Sequence, residues 1–591
     1  MAETTLSVRE GHFSSSSLGD LTSPPTSGDW GYRAEMPDEV DPRSGVRNAS
    51  RAVLVTLATA QFVMVLDQAV MNVSISQLVA DFDTEVTTIQ GVITLYSLVM
   101  AALMITGGKL GDKWGRKRAF RIGLIIYACG SALTAVSWSV GALALGWSVL
   151  EGIGAALVMP ALAALVAGNF QGKARAGAYA VLGGVGGAGI AVGPILGGWV
   201  TTNLTWRLVF AGEVVLVLFI LFMLRTMDDA PREGRAPQLD WVGSILSATG
   251  LALIVVGALQ SSTWGWVQPR NAPVEPFGYS PTLFVIAFGG VVLYAFTRWQ
   301  RRRERVGRDP LVRLDRLRIP TLRSGLVMFL AQNTVLLGIF FIMPLYLQIV
   351  QGYDAFETGL RMLPVSVTMF VTALAGPKLA GRAGPRRVVR AGLVVIVLSC
   401  AGLLSVLDPE IDTPAFLWVM AALGVGMGLI VSQLGNVVQS SVDEEGRSEA
   451  GGLQNTAPQL GAALGTALIG AVVIGGLANS VLSKVEANPA LSETTQAQVG
   501  TSLEAGVSFV SVEQVQAGVD AAGLPPAEGD AIVQAYSEAQ LEALKAGVLL
   551  AGGIALLSFL GTTHLPGPDR DEDEDDDAVG TFPAGPTPAV T

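Results

Sequence analysis

The sequence predicts an all-α polytopic membrane protein of about fourteen spans: two six-helix halves with two further helices inserted between them. Three observations carry this. Runs of about 20 apolar residues, enough to cross a hydrocarbon core of ~30 Å at ~1.5 Å per residue, recur from Ala52 almost to the C-terminus. Half of the 591 residues are hydrophobic, only 15% are charged and 70 are glycine, which together with those runs points to membrane helices rather than a water-soluble core. Basic clusters all fall after even-numbered spans, which gives the chain a consistent sidedness. The short alternating strands of an outer-membrane barrel do not occur in the sequence.

Residues 1–50 are polar, rich in Ser, Pro, Gly and acids, and read as a disordered cytoplasmic tail, neither signal nor transit peptide. The N-terminal half, 51–226, holds expected spans at Ala52–Leu78, Val86–Gly107, Ala119–Ser137, Gly141–Ala167, Ala178–Val200 and Trp206–Leu224. Residues 227–309 hold the inserted pair, Trp241–Leu259 and Pro281–Thr297, and a basic cytoplasmic linker. The C-terminal half, 310–563, follows with Leu322–Val350, Glu357–Ala375, Val388–Leu407, Pro414–Val438, Ala450–Ala478 and Leu544–Leu560. Its last two spans are joined by a long extracytoplasmic loop, 479–542, with helix-like stretches near Ser502–Ala521 and Pro526–Leu544. That loop is read as a tolerated surface insertion, with a helical cap as the alternative. Residues 564–591 form an acidic tail, DRDEDEDDD at its centre.

Lys109–Arg118, Lys173–Arg175, Arg298–Arg318 and Lys378–Arg390 follow even-numbered spans, whereas Asp81, Asp83, Glu85, Asp354, Glu357, Asp408, Glu410 and Asp412 follow odd-numbered ones. Both termini are therefore expected in the cytoplasm, with the spans in the cytoplasmic membrane. The net charge of −11 sits largely in one tail and in loops, so it gives no support to nucleic-acid binding. The two cysteines lie in separate spans and the two histidines, His12 and His564, outside every span. No disulfide framework, metal centre or cofactor is indicated, and any proton crossing the spans must travel on carboxylates.

The loop KLGDKWGRKR (Lys109–Arg118) and the later KLAGRAGPRR (Lys378–Arg387) share Lys-Leu, a basic residue, Gly and a basic pair at matching offsets. This is the trace of a parallel internal repeat. Three acids stand inside spans of the first half: Asp67, Glu151 and Glu213. A carboxylate near the midplane costs roughly 2.5–3.5 kcal/mol on insertion scales, so each must be neutralised, paired or in contact with water, and each marks a functional site by default.

The first loop resembles the signature of the major facilitator superfamily: Gly108, Leu110, Asp112, Gly115, Arg116 and Lys117 match it position by position. The resemblance implies that Asp112 and its cations act as a conformational latch between the halves; Gly381 stands where the second half would carry the Asp. GIAVGPILGG, with Gly189, Gly193, Pro194, Gly197 and Gly198, resembles the fifth-helix motif of drug:proton antiporters. LDQAVMNV (Leu66–Val73), with Asp67, Val70, Asn72 and Val73, resembles the first-helix signature of the fourteen-helix branch of those antiporters, Ala69 replacing its Thr and Ser76 its Pro. Pro344, Tyr346–Gln348, Gly352, Gly359, Leu360, Pro364 and the stretch Gly446–Leu468 resemble the same branch, so the likeness runs from about Ala52 to Leu560, apart from most of the long loop 479–542.

Two departures stand out. The branch's Arg-x-x-Gln-Gly in the fourth helix is replaced by Ser148, Glu151 and Gly152, and WRLVFAGE places Glu213 where an Asn is usual. The implied function is secondary active transport: proton-coupled efflux of small hydrophobic or cationic drugs across the cytoplasmic membrane, by a monomeric unit in the lipid bilayer. Asp67, Glu151, Glu213 and Asn72 are the residues expected at the coupling site and substrate cavity. Alternatives are export of an endogenous lipid or secondary metabolite on the same fold, and a sensor that no longer transports. With no nucleophile–base constellation, Walker loop or metal cluster, the sequence does not read as an enzyme.

Overall fold

The computed structural model describes residues 42–170, 172–227, 238–269, 272–442, 447–505 and 509–567. The chain divides into Met1–Arg47 and a large compact unit, Asn48–Thr591. Among the described residues there is no strand. The helices are α1 (Pro42–Val73), α2 (Ile75–Asp81), α3 (Val86–Trp114), α4 (Arg116–Ala135), α5 (Val140–Leu143), α6 (Gly152–Asn169), α7 (Gly172–Asn203), α8 (Arg207–Met223), α9 (Trp241–Trp264) and α10 (Pro281–Arg305). They continue with α11 (Pro320–Pro344), α12 (Ala355–Ala383), α13 (Pro385–Val406), α14 (Thr413–Ser440), α15 (Arg447–Glu486), α16 (Glu493–Ala505), α17 (Val512–Ala521) and α18 (Pro526–Leu557). Ala144–Glu151 joins α5 to α6 as a π-helical segment, and Leu345–Val350 follows α11 as another.

Twelve segments among the described residues are long and apolar enough to span a membrane, against about fourteen expected. The other two expected spans are helical as well, as α4 and α8. The 17 residues of α8 are short for a bilayer, and the first turns of α4 carry Arg116, Lys117, Arg118 and Arg121.

Three boundaries differ from expectation. The first helix begins at Pro42, inside the stretch read as tail, and the rest of that stretch lies outside the described residues. It also stops at Val73, where the Ser74 hydroxyl joins its own N–H on the Val70 carbonyl at 3.1 Å and lies 3.0 Å from Thr201 Oγ1; such back-bonding often bends a helix. The long outer connection is mostly helix: α15 reaches Glu486, α18 starts at Pro526, and α16 and α17 fill the gap. Leu477, Val481, Val485, Phe509, Val519, Ile532 and Tyr536 are buried there, so these residues pack into a lobe. The acidic tail expected after residue 563 lies almost wholly outside the described residues.

The repeat is visible in backbone packing. Gly115 between α3 and α4 and Gly384 between α12 and α13 both sit at positive φ (102° and 79°), a conformation that favours glycine. A Cβ on Gly154 would lie 2.7 Å from Tyr127 N and 2.8 Å from Gly123 O, and one on Gly426 3.1 Å from Ile396 N and 2.8 Å from Gly392 O. The pair α4–α6 and the pair α13–α14 thus cross at the same close approach.

Helices before α9 meet helices after α10 at several described places. In α7, Pro194 and Gly198 lie against Gly359 and Ala355 of α12. Gln90 of α3 donates to the Thr466 carbonyl of α15 at 2.7 Å, and Gln348 donates to the Val73 carbonyl at 2.9 Å. The α9–α10 hairpin, tightened at Gly250 and Gly289, packs on both α3 and α15. At one end of the hairpin Asp240 caps α9 and accepts from Gly243 N, Trp299 Nε1 and Gln300 Nε2.

Candidate functional site

The sequence scattered three acids over three helices; the fold gathers them. One carboxylate oxygen from each of Asp67 (α1), Glu151 (the last residue of the π segment) and Glu213 (α8) lies within 4.8 Å of the others. All three side chains are buried, none more than 1% exposed. No Lys or Arg pairs with any of them among the described residues.

The gathering has a local cause. Glycines at 123, 130, 146 and 154 let α4 and the π–α6 segment touch backbone to backbone: a Cβ on Gly130 would lie 2.6 Å from Glu151 Cγ and 2.7 Å from Gly146 O. The π segment widens the helix immediately before Glu151, a device common at functional sites. Ser148, in place of the expected Arg, donates to the Val92 carbonyl at 2.7 Å and ties this segment to α3.

Neutral donors surround the acids. Trp147 Nε1 donates to Asp67 Oδ1 at 2.7 Å, while its ring stacks on Tyr96 at 4.5 Å between centroids. Tyr127 OH and Ser131 Oγ lie 3.1 and 3.3 Å from Glu213 Oε2, and Thr134 Oγ1 lies 3.2 Å from Glu151 Oε1. One oxygen of each acid, Asp67 Oδ2, Glu151 Oε2 and Glu213 Oε1, has no hydrogen-bond partner, and neither has the buried Tyr96 hydroxyl. Two ionised carboxylates ~4.8 Å apart repel by about 3.5 kcal/mol at an effective dielectric of ~20, and by about 1 kcal/mol in bulk water. A closed cluster without a cation therefore cannot carry three charges. The same three oxygens form the one acidic grouping among the described residues compact enough to surround a cation.

Tyr127, Ser131 and Thr134 were not singled out from sequence, although their spacing puts them on one face of α4 as a polar stripe in an apolar span. Trp147 had no comparable signal. Asn72, grouped with the acids in the sequence reading, is buried but donates back to the Gln68 carbonyl at 2.7 Å and is not among the acids' partners.

The glycine motif of α7 serves α1. A Cβ on Gly189 would meet Val65 at 3.1 Å, one on Gly193 would meet Ala69 at 2.3 Å, and one on Gly197 would meet Val70 at 2.8 Å, so the glycines seat the segment that carries Asp67. Pro194 and Gly198 face α12 instead.

The loop after α3 is arranged locally. Asp112 pairs with Arg116 at 3.8 Å, Arg116 donates to the Ala164 carbonyl at 3.1 Å and Lys117 to the Met227 carbonyl. Gly108 packs on Pro160, and Lys109 alone of this loop's described bonds reaches past α10, to the Pro310 carbonyl. Glu449 at the start of α15 holds the same linker through Arg316, at 2.5 Å, and the Arg313 N–H.

At the far ends of α4 and α8, Asp81 accepts from Trp206 Nε1 and Arg207 Nη1, both at 2.8 Å, and from Gln77. Partial burial pushes the Asp81 carboxyl up, but these donors outweigh it and hold it below the usual carboxylate range. Arg207 also donates to the Ser137 carbonyl at 3.1 Å, tying α8 to the end of α4.

Comparison with known proteins agrees with this architecture. The model of the Major Facilitator Superfamily matches residues 57–466. The tetracenomycin C resistance and export protein of Streptomyces glaucescens is 29% identical over 73% of this chain and 77% of its own. The puromycin resistance protein of Streptomyces alboniger is 31% identical over 72% and 82%, and a probable actinorhodin transporter of Streptomyces coelicolor 28% over 76% and 77%. Among solved structures, a bacterial homologue of the human lysosomal transporter Spinster, inward-facing and unoccupied, superposes with a TM-score of 0.56 at 16% identity, over 87% of this chain and 97% of that one.

Proposed function

The chain belongs to the Major Facilitator Superfamily and is a multi-pass membrane transporter rather than an enzyme, and from that premise we propose that it exports small hydrophobic or cationic compounds across the cytoplasmic membrane in exchange for protons. The observation that carries the coupling is the cluster of Asp67, Glu151 and Glu213, buried without a basic partner among the described residues. A desolvated carboxylate keeps its proton more tightly than one in water, and it releases that proton when water or a cation reaches it. Proton and cationic substrate would then compete for one site, which is a direct physical route to antiport. Glu151 and Asp67 are the principal carriers in this reading, Glu213 the third. The latch loop around Asp112 and the glycines of α7 would govern how residues 51–226 and 310–563 rock about a central path, with both termini in the cytoplasm and one chain as the transport unit.

Drugs and secondary metabolites both fit as cargo, and the names of the Streptomyces relatives, which mention tetracenomycin C, actinorhodin and puromycin, favour compounds of that kind. The test is efflux from proteoliposomes and from an efflux-deficient host, with and without a proton uncoupler. Full coupling retained by Glu151→Gln combined with Asp67→Asn would sink the assignment.

A further inference from the structure

The inserted hairpin carries a site of another kind, which stands apart from the acid cluster and does not depend on the coupling ion. We propose that the outer face of α10 binds an anionic phospholipid, its acyl chains along the apolar part of the helix and its phosphate held by Arg298, Arg301, Arg302 and Arg305.

The helix sorts its residues by face. Gly289 turns toward α9, where a Cβ would lie 2.9 Å from Gly250 O, and Gln300 and Arg303 turn the same way onto Asp240, at 2.8 and 3.6 Å. The opposite face exposes Phe284, Phe288, Val291 and Ala295. The same three-and-four register then continues, without a change of face, to Arg298, Arg302 and Arg305, with Arg301 beside them. From Phe284 to Ala295 the helix rises about 16 Å at ~1.5 Å per residue, roughly one leaflet of a ~30 Å hydrocarbon core. The arginines begin one turn beyond, at the level of the headgroups.

Charge pairing separates the two faces as sharply as hydropathy does. The inward Arg303 is engaged by Asp240 and by the Asp309 carbonyl, at 3.0 and 2.9 Å, and Arg316 in the linker by Glu449. The four outward guanidinium groups have no ion pair, hydrogen bond or ring contact among the described residues. The neighbouring acids are already occupied: Glu304 accepts from the Leu314 N–H at 3.1 Å and Asp309 from the Gln238 N–H at 3.0 Å. Like charges three and four residues apart on a helix repel, so this row favours an anion from outside. A guanidinium offers phosphate a flat fork of parallel N–H donors. A soluble phosphate would satisfy the arginines and leave the apolar stretch below them untouched; an anionic lipid satisfies both parts with one molecule. Seated there, it fixes the depth of the hairpin that packs on α3 and α15.

Native mass spectrometry of the full chain, titrated with dioleoylphosphatidylglycerol or with the zwitterionic dioleoylphosphatidylcholine, reads the site. The unsubstituted chain should retain the glycerol lipid in preference to the choline one. At roughly fivefold per basic side chain at a lipid surface, Arg298→Gln, Arg302→Gln and Arg305→Gln together should lower that preference about tenfold or more. The same three positions changed to Lys should keep most of it. Thermal melting in detergent gives a second reading: the glycerol lipid should raise the melting temperature of the unsubstituted chain and of the Lys variant, and leave that of the Gln variant unmoved. No preference in the unsubstituted chain overturns the site. So does an equal loss in Lys378→Gln, Arg382→Gln and Arg387→Gln, which remove the same exposed charge at the α12–α13 junction and would reduce the effect to net charge. Displacement of the lipid by glycerol phosphate at equal concentration would deny the apolar face any part and overturn it as a lipid site. A preference that emerges only after the acids between Asp569 and Asp577 are changed to amides would put that tail on the arginine row in the lipid's place, and overturn it likewise.

Discussion

In both α4–α6 and α13–α14 a glycine of each helix rests on the backbone of the other, Gly123 on Gly154 and Gly392 on Gly426. Counting from those glycines, Tyr127, Ser131, Thr134 and Glu151 of the first pair correspond to Ile396, Cys400, Leu403 and Leu423 of the second, all four buried. Both α5 and α14 start on a side-chain cap, Ser139 and Asp412. The first pair needs one residue more to reach its glycine, and that residue is taken up as the π segment ending at Glu151. The crossing is therefore satisfied by an apolar filling, and packing does not require the acids. The acid in the first copy, together with the inserted residue that aims it, distinguishes that pair and supports the coupling role proposed for Glu151.

The strongest way to break this comparison is to make the first pair resemble the second. Glu151→Leu should lower proton-driven efflux roughly a hundredfold, the scale of losing an essential proton-transfer group. The same variant should melt no lower than the parent, because replacing buried ionic groups by apolar ones is often neutral or stabilising by about 1–4 kcal/mol. A large fall in melting temperature would mean that the acid is structural. The converse, Leu423→Glu, places an acid where no donors wait and should cost about 2.5–3.5 kcal/mol in the melt.

The common frame makes its own prediction. Gly154→Ala and Gly426→Ala should each destabilise by about 1–3 kcal/mol, and by similar amounts, since each Cβ meets backbone atoms that cannot yield. A marked inequality would show that the two crossings are not equivalent. The smallest effect lies at the far ends, where the first pair is tied by Asp81 and Arg207, while after α13 the neutral donors Tyr346 and Gln351 hold the Asp408 carbonyl and Lys545 pairs with its carboxylate at 3.4 Å. Because Asp81 titrates lower folded than unfolded, its contribution is complete above its unfolded value of about 4 and lost as pH falls through the folded one. Asp81→Asn should thus lower the melting temperature at neutral pH, by no more than about 1 kcal/mol, and lose that effect near pH 3. Tyr346→Phe should show no such pH dependence.

Much of this was legible in the residues. Apolar runs located the helices, because in lipid every backbone group must be satisfied within its own segment. The three acids announced themselves by their cost. The meeting of Asp67, Glu151 and Glu213 was not legible, since it depends on contacts between helices far apart in sequence. The π segment was equally silent: one added residue shifts a hydrophobic stripe too little to be noticed in ALGWSVLE. Hydropathy missed the extension of α15 to Glu486, although the stretch Pro526–Leu544 that begins α18 was read as helix-like; the two meet through Lys484, which bridges Glu538 and Glu542 at 3.0 Å.

The α9–α10 hairpin deserves a mechanical reading. Toward α3, α9 is pinned by the Ser244–Thr106 hydrogen bond at 2.8 Å and by Leu259 over Gly91. Toward α15 it presents Val255 and Ala258 to Ala463 and Ala467, a shallow surface without a hydrogen bond in the described contacts. The hairpin is thus fastened to α3 by a hydrogen bond and rests on α15 through apolar contacts, so it covers the seam where those two helices meet at Gln90 and Thr466.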